Sequence, residues 1–133
     1  MLRYSPFLLL LLAGCSKPEP ATYPVEGIAE VKGKPTEGFT VEFASQAPAT
    51  KGLSASGKVD ASGKFTLTTM IDGKEKPGAV AGPHKVVVIP PPSGTGPKVI
   101  QVINNNYIDY NSTPLTFEVN PATPNSYRIP LER

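Results

Sequence analysis

The chain has 133 residues, with 13 Lys and Arg, 11 Asp and Glu, 16 Pro, 12 Gly, one Cys and no Trp. Its charges are interspersed and form no basic stripe, which excludes the electrostatic footprint of a nucleic-acid binder. The lone cysteine excludes an intramolecular disulfide, and the frequent Pro and Gly favour many short strands over helices.

The chain opens with a short positive start at Arg3 and an uninterrupted apolar run from Phe7 to Ala13. Small residues, Ala13 and Gly14, stand directly before Cys15. The run is too short to span a bilayer, which needs about 20 apolar residues. It has the layout of an export signal with small residues at its cut site. Leu12-Ala13-Gly14-Cys15 resembles the lipobox of bacterial lipoproteins. That resemblance implies removal of residues 1–14 and a lipidated Cys15 at the new N-terminus. Acylation would also account for an otherwise odd thiol. Two chains on one diacylglyceryl group give durable anchoring, where one is marginal. The expected address is the bacterial cell envelope, on a membrane whose identity, inner or outer, stays open.

Removal of the leader leaves 119 residues, with 12 Lys and Arg facing 11 Asp and Glu. That is one domain, large enough to fold without staples. Residues 15–22 read as the lipidated cysteine followed by a Pro-stiffened tether, and residues 23–133 as the folded domain. Tyr23, Val25, Gly27, Ala29 and Val31 alternate with Pro24, Glu26, Glu30 and Lys32. Such alternation marks a strand with one dry face and one wet face; only Ile28 interrupts it. Lys32-Gly33-Lys34-Pro35 turns the chain. Phe39, Val41 and Phe43 form a second alternating set, and 45–54 reads as a loop.

Residues 55–59 read as a strand that pairs, across the Asp60-Ala61-Ser62-Gly63 turn, with Phe65, Leu67 and Thr69. Residues 71–81 read as a Gly- and Lys-rich loop. Gly82 to Ile89 is apolar on both faces, which predicts a central strand. The proline-rich 90–97 stretch cannot be a regular strand, because proline removes ladder donors. Leu115, Phe117 and Val119 form another alternating set, and Tyr127, Ile129 and Leu131 the last; Pro130 places that last strand at an edge or marks the end of its pairing. About seven short strands with frequent turns predict an all-β sandwich. Its expected inward set is Val25, Val31, Phe39, Val41, Phe43, Phe65, Leu67, Val86, Val88, Leu115, Phe117, Val119 and Ile129.

Five segments in order resemble a known pattern: Tyr23 to Gly27, Lys32 to Pro35 with Gly38, Asp60 to Phe65, Gly82 to Val86, and Tyr107 through Thr113-Pro114-Leu115 with Val119 and Asn125. Together they resemble the small lipoproteins, abundant in planctomycete-type bacteria, that hold a transthyretin-like, carboxypeptidase-regulatory-like domain. The resemblance covers nearly all of 22–133 and implies a Greek-key sandwich behind a lipid anchor. The chain departs from the pattern at His84, where an aromatic Tyr is usual, and in the Asn104-Asn105-Asn106 tract.

No catalytic constellation is legible. The chain has one histidine, His84, in phase with Val86 and Val88 and therefore expected to point inward. A nucleophile needs a base beside it, and a zinc site needs further ligands. Glu26 with Glu30, and Glu42 with Glu118, sit on wet faces; Asp60 and Asp109 are single carboxylates in turns, far from the six to eight oxygens of calcium. Neither a metal nor a cofactor is expected.

The best candidate for binding is residues 98–112, a connection long enough to be functional. Tyr107 and Tyr110 offer flat rings, and Asn104, Asn105 and Asn106 offer amide groups suited to protein or glycan. The competing expectation is structural: Tyr107 and Ile108 plug one end of the sandwich and Val99 to Ile103 add an edge strand. The sequence thus predicts a non-enzymatic envelope module, anchored to a membrane through Cys15, in contact with envelope protein or glycan or giving structural support. The alternative is a small loop-based hydrolase or metal-dependent enzyme.

Overall fold

The computed structural model describes residues 19–133 apart from 93, 95, 98 and 99. Cys15, the expected leader and most of the expected tether lie outside these residues. The described chain is all-β. No helix in it is long and apolar enough to cross a membrane, and its one helical element is a single 3-10 turn, Asn105–Tyr107.

Among the described residues twelve strands are present, not seven: β1 (Thr22–Tyr23), β2 (Val25–Val31), β3 (Lys34–Pro35), β4 (Thr40–Ser45), β5 (Ser54–Lys58), β6 (Lys64–Thr66), β7 (Thr68–Ile71), β8 (Lys74–Pro77), β9 (Ala79–Val80), β10 (Gly82–Ile89), β11 (Thr116–Val119) and β12 (Asn125–Leu131). The six-stranded sheet runs β11-β10-β4-β5-β7-β8. The smaller sheet runs β12-β2-β3, with β6 also on β2, and β1 pairs with β9. Inward residues of both sheets share one core. Phe39, Val41, Phe43, Val86 and Val88 come from the large-sheet side and Ala29, Val31, Phe65, Ile129 and Leu131 from the small-sheet side. The arrangement is sandwich-like. All of the expected inward set is buried except Phe117, which is partly buried and packs against the core.

Of the five additional strands, β1 and β3 are two-residue pairings, and the other three have two physical sources. One expected strand splits. The run 64–71 pairs first with β2 and then, past Leu67, with β5, so it crosses from the small sheet to the large one. Leu67 is the pivot: its N–H donates to the Val25 carbonyl and its carbonyl accepts from Gly78 (2.7 Å). The simple hairpin of 55–59 with 64–69 is therefore corrected: β5 packs against β6 but pairs in register only with the β7 half. The second source is 71–81, read as loop, which holds β8 and β9. Ile71 pairs with Lys74 across Asp72 (φ 51°) and Gly73 (φ 75°). A two-residue turn with positive φ at both positions matches the twist of the strands it joins. The Lys32–Gly33 turn has the same form.

Two placements argued from composition hold. β10 lies between β11 and β4, and Val86, Val87 and Val88 are all buried. β12, with Pro130, is the edge of the smaller sheet. Its pairing with β2 is parallel, joining the first long strand to the last. Residues 100–103 form no strand, so the expected edge strand there is absent; Val99 is outside the described residues.

Candidate functional site

The 103–113 segment is a strap fastened at both ends. At one end Asn104 N–H donates to the Glu132 carbonyl (3.0 Å). Asn104 Oδ1 accepts from Asn106 N–H (2.9 Å), capping the 3-10 turn. Tyr107 is only 7% exposed; its hydroxyl donates to the Pro130 carbonyl (3.5 Å) and accepts from Glu132 N–H (3.2 Å). At the other end Tyr110 Oη donates to Glu42 Oε1 (2.6 Å), and Thr113 Oγ1 donates to the Val86 carbonyl (2.7 Å). Lys85 Nζ reaches the Tyr110 carbonyl (3.4 Å). The strap therefore ties the end of β12 to the outer face of β4 and β10. Glu42 is the register partner of Val87, which faces outward on β10 yet is 1% exposed.

Tyr107 is thus a plug of the fold, with little ring area to offer. Tyr110 is half-buried, and burial first, then the Glu42 hydrogen bond and charge, hold its hydroxyl well above the ordinary tyrosine range. Asn104, Asn105 and Asn106 are exposed. Glu42 carries no pattern that would mark it as a fastener; its partner is 68 residues away in sequence.

His84 points inward as expected and is 2% exposed. Its Nδ1–H donates to the Gly82 carbonyl (2.9 Å), which assigns the tautomer, and its ring lies 5.9 Å from that of Phe43. Phe43, Phe117 and Tyr127 complete the cluster, with Phe117 and Tyr127 stacked at 4.7 Å. Burial lowers the His84 pKa, against a smaller opposing effect of the Gly82 carbonyl. Burial likewise raises that of Tyr127.

The carboxylate pairs do not meet. Glu42 is opposite Val87 and Glu118 opposite Pro83, four positions apart along β10. Glu30 is taken by Arg128 (3.0 Å). Asp60 Oδ1 accepts from Ser62 Oγ (2.6 Å), Ser62 N–H (2.9 Å) and Lys64 N–H (3.0 Å), and these bonds, the Ser62 hydroxyl foremost, lower its pKa. Asp109 Oδ1 accepts from Asn111 N–H (2.8 Å) in a similar turn. Among the described residues no three His, Cys, Asp or Glu side chains converge as metal ligands would.

A concave surface lies elsewhere, where β2 and β6 meet the β5–β6 turn. An open trough of about 360 Å³ is lined by Glu26, Ile28, Lys58, Asp60, Lys64, Thr66 and Ser126. A second, about 330 Å³, shares Glu26 and Thr66 and continues past Pro24, Pro77 and Pro124. Two ion pairs occur among the described residues, Lys76–Glu19 and Arg128–Glu30, and neither includes Lys58, Lys64 or Glu26. Sequence reasoning missed this trough because its walls come from four separate segments, brought together by the pairing of both β6 and β12 with β2. The sole local signal was the wet-face position of Glu26. Comparison with protein-family models, with curated proteins and with solved structures finds no match to this chain.

Proposed function

We propose that the chain is a membrane-anchored envelope lipoprotein, held through lipid on Cys15, whose domain is a non-enzymatic module for contact with envelope protein or glycan. In this reading the domain is a transthyretin-like, carboxypeptidase-regulatory-like Greek-key sandwich. The sharing of one core by two sheets supports it, as does the order of the five motif segments. The observation that carries the reading is the direction of the reactive side chains. The His84 ring is sealed in the core with Nδ1–H on a backbone carbonyl, the Asp60 carboxylate closes a turn and Glu42 holds the Tyr110 hydroxyl. Each acts as a fastener. What stays open is the trough, whose Lys58, Lys64 and Glu26 beside Ile28 are in neither ion pair of the described residues and suit reversible contact. Exposed Asn104, Asn105 and Asn106 offer further polar groups on the strap.

Mass spectrometry of the protein from its native membrane should find diacylglyceryl-Cys15 as the first residue. An intact Met1 would refute the anchor. For the contact role, immobilised protein is passed over solubilised envelope protein and envelope polysaccharide beside a Lys58→Ala, Lys64→Ala variant and a Tyr110→Phe variant. Retention that falls for the first and holds for the second assigns contact to the trough. Equal retention by all three, folded alike, removes it.

A further inference from the structure

The two troughs form one groove. They share Glu26 and Thr66, and their linings follow β2 from Ile28 back to Pro24. Strand spacing of ~3.3 Å per residue gives this stretch a length of about 13 Å. Its ionised side chains are Lys58 and Lys64 against Glu26 and Asp60, a sum of zero. Asp60 is further spent on its own turn, where Oδ1 accepts from Ser62 and from Lys64 N–H. The hydroxyls of Thr66, Thr68 and Ser126 and the side chains of Glu26, Lys58 and Lys64 make no hydrogen bond among the described residues. Elsewhere the fold uses such groups: Thr36, Thr69 and Thr113 each donate to a backbone carbonyl. Apolar surface accompanies the unused polar groups, from Ile28 in the first trough and from the rings of Pro24, Pro77 and Pro124 in the second.

This lining selects by chemistry. A ligand of one charge sign gains at one pair of ionised groups and loses at the other, so the groove holds no net preference for it. An extended peptide that adds itself to a sheet needs an open strand edge. The groove offers none. Beside Glu26 to Ile28, β2 is paired with β6 on one side and with β12 on the other. The far side of β6 is closed by Gly57, packed against the Thr66 carbonyl. A hydroxyl, in contrast, both donates and accepts. A ligand dense in hydroxyls can take Lys58 and Lys64 as donors, Glu26 as acceptor, and Thr66, Thr68 and Ser126 as either. The C–H faces of sugar rings then cover Ile28 and the proline rings, which removes apolar surface from water. Ligand hydroxyls replace the water on the groove's polar groups one for one, so none is left unpaired.

We infer that the groove binds an uncharged glycan strand, held by hydroxyl hydrogen bonds and ring packing and not by ion pairing. The inference rests on the contact role proposed above for the trough and names its ligand class. Polysaccharide from the native envelope is split by anion exchange into uncharged and acidic fractions, and each is passed over the immobilised full chain. The uncharged fraction should be retained equally at about 0.05 M and about 0.5 M salt, a range over which screening weakens pairing between exposed charges. A Thr66→Ala, Ser126→Ala variant should lose retention severalfold; both sites are exposed. Glu26→Lys, also at an exposed site, guards against a variant that misfolds: it should lose the uncharged fraction, whereas an acidic ligand would be held more tightly. Lys85→Ala, on the larger sheet, should change nothing. Retention of the acidic fraction alone, lost at the higher salt, overturns the inference and leaves the trough as a contact site. Retention of solubilised envelope protein alone, lost in the Lys58→Ala, Lys64→Ala variant, does the same. Uncharged glycan held equally by the parent and both groove variants places binding elsewhere and overturns the inference. No retention of any envelope component overturns it together with the contact role.

Discussion

The His84 ring is held neutral by its surroundings. Burial lowers its pKa below the ordinary histidine value of 6.5, so between the two values the unfolded chain binds a proton that the folded chain does not. Stability from this group is complete above 6.5 and is lost progressively as pH falls below it. Asp60 adds a slope of the same sign only beneath the ordinary carboxylate value of 3.8. Urea midpoints should therefore drop between about pH 7.5 and about pH 5, and His84→Phe should flatten that drop. A parent midpoint that does not move would contradict it. Gly57 makes a second test, because a Cβ there would collide with the Thr66 carbonyl, which is backbone and cannot swing away. Gly57→Ala should cost about 1–3 kcal/mol in denaturant unfolding, the scale of an overpacked site.

Among elements, β6 has only three residues but fills the seam between the sheets, and Phe65 is its inward member at 2% exposure. Phe65→Ala should cost about 3–5 kcal/mol by chemical denaturation; a loss near zero would place that ring outside the core. Period-two alternation made β2, β4, β10, β11 and β12 legible, because each buries one clear stripe or, for β10, both faces. β8 stayed hidden for the opposite reason. Lys74, Glu75, Lys76 and Pro77 bury little, and charge and proline on an edge strand are what keep it from pairing with other chains. The Asp72-Gly73 pair was its readable signal, a strong hairpin dipeptide left unused inside a polar stretch. The crossover at Leu67 had no signal, since alternation runs unbroken through 64–69 while the hydrogen-bonding partner changes. The trough depends on the long-range pairing of β6 and β12 with β2 and was unreadable too. The Tyr110–Glu42 fastening is a long-range pairing of two side chains with no local mark.

At the scale of the whole molecule, the two faces of the strap carry unequal roles: Tyr107 closes the interior and Tyr110 binds the outside of the large sheet. The contacts that close the smaller sheet are remote in sequence. Asn125 Nδ2 donates to the Pro24 carbonyl across 101 residues, and Arg128 reaches Glu30 across 98. Loop closure on that scale makes folding slow, and it sets an order in time. The large sheet is complete once Val119 is available, whereas the smaller one lacks an edge until the last residues arrive. A chain threading any channel N-terminus first thus emerges with β2 waiting, one side unpaired, for a strand still inside. Emergence of β12 is the event that completes the fold.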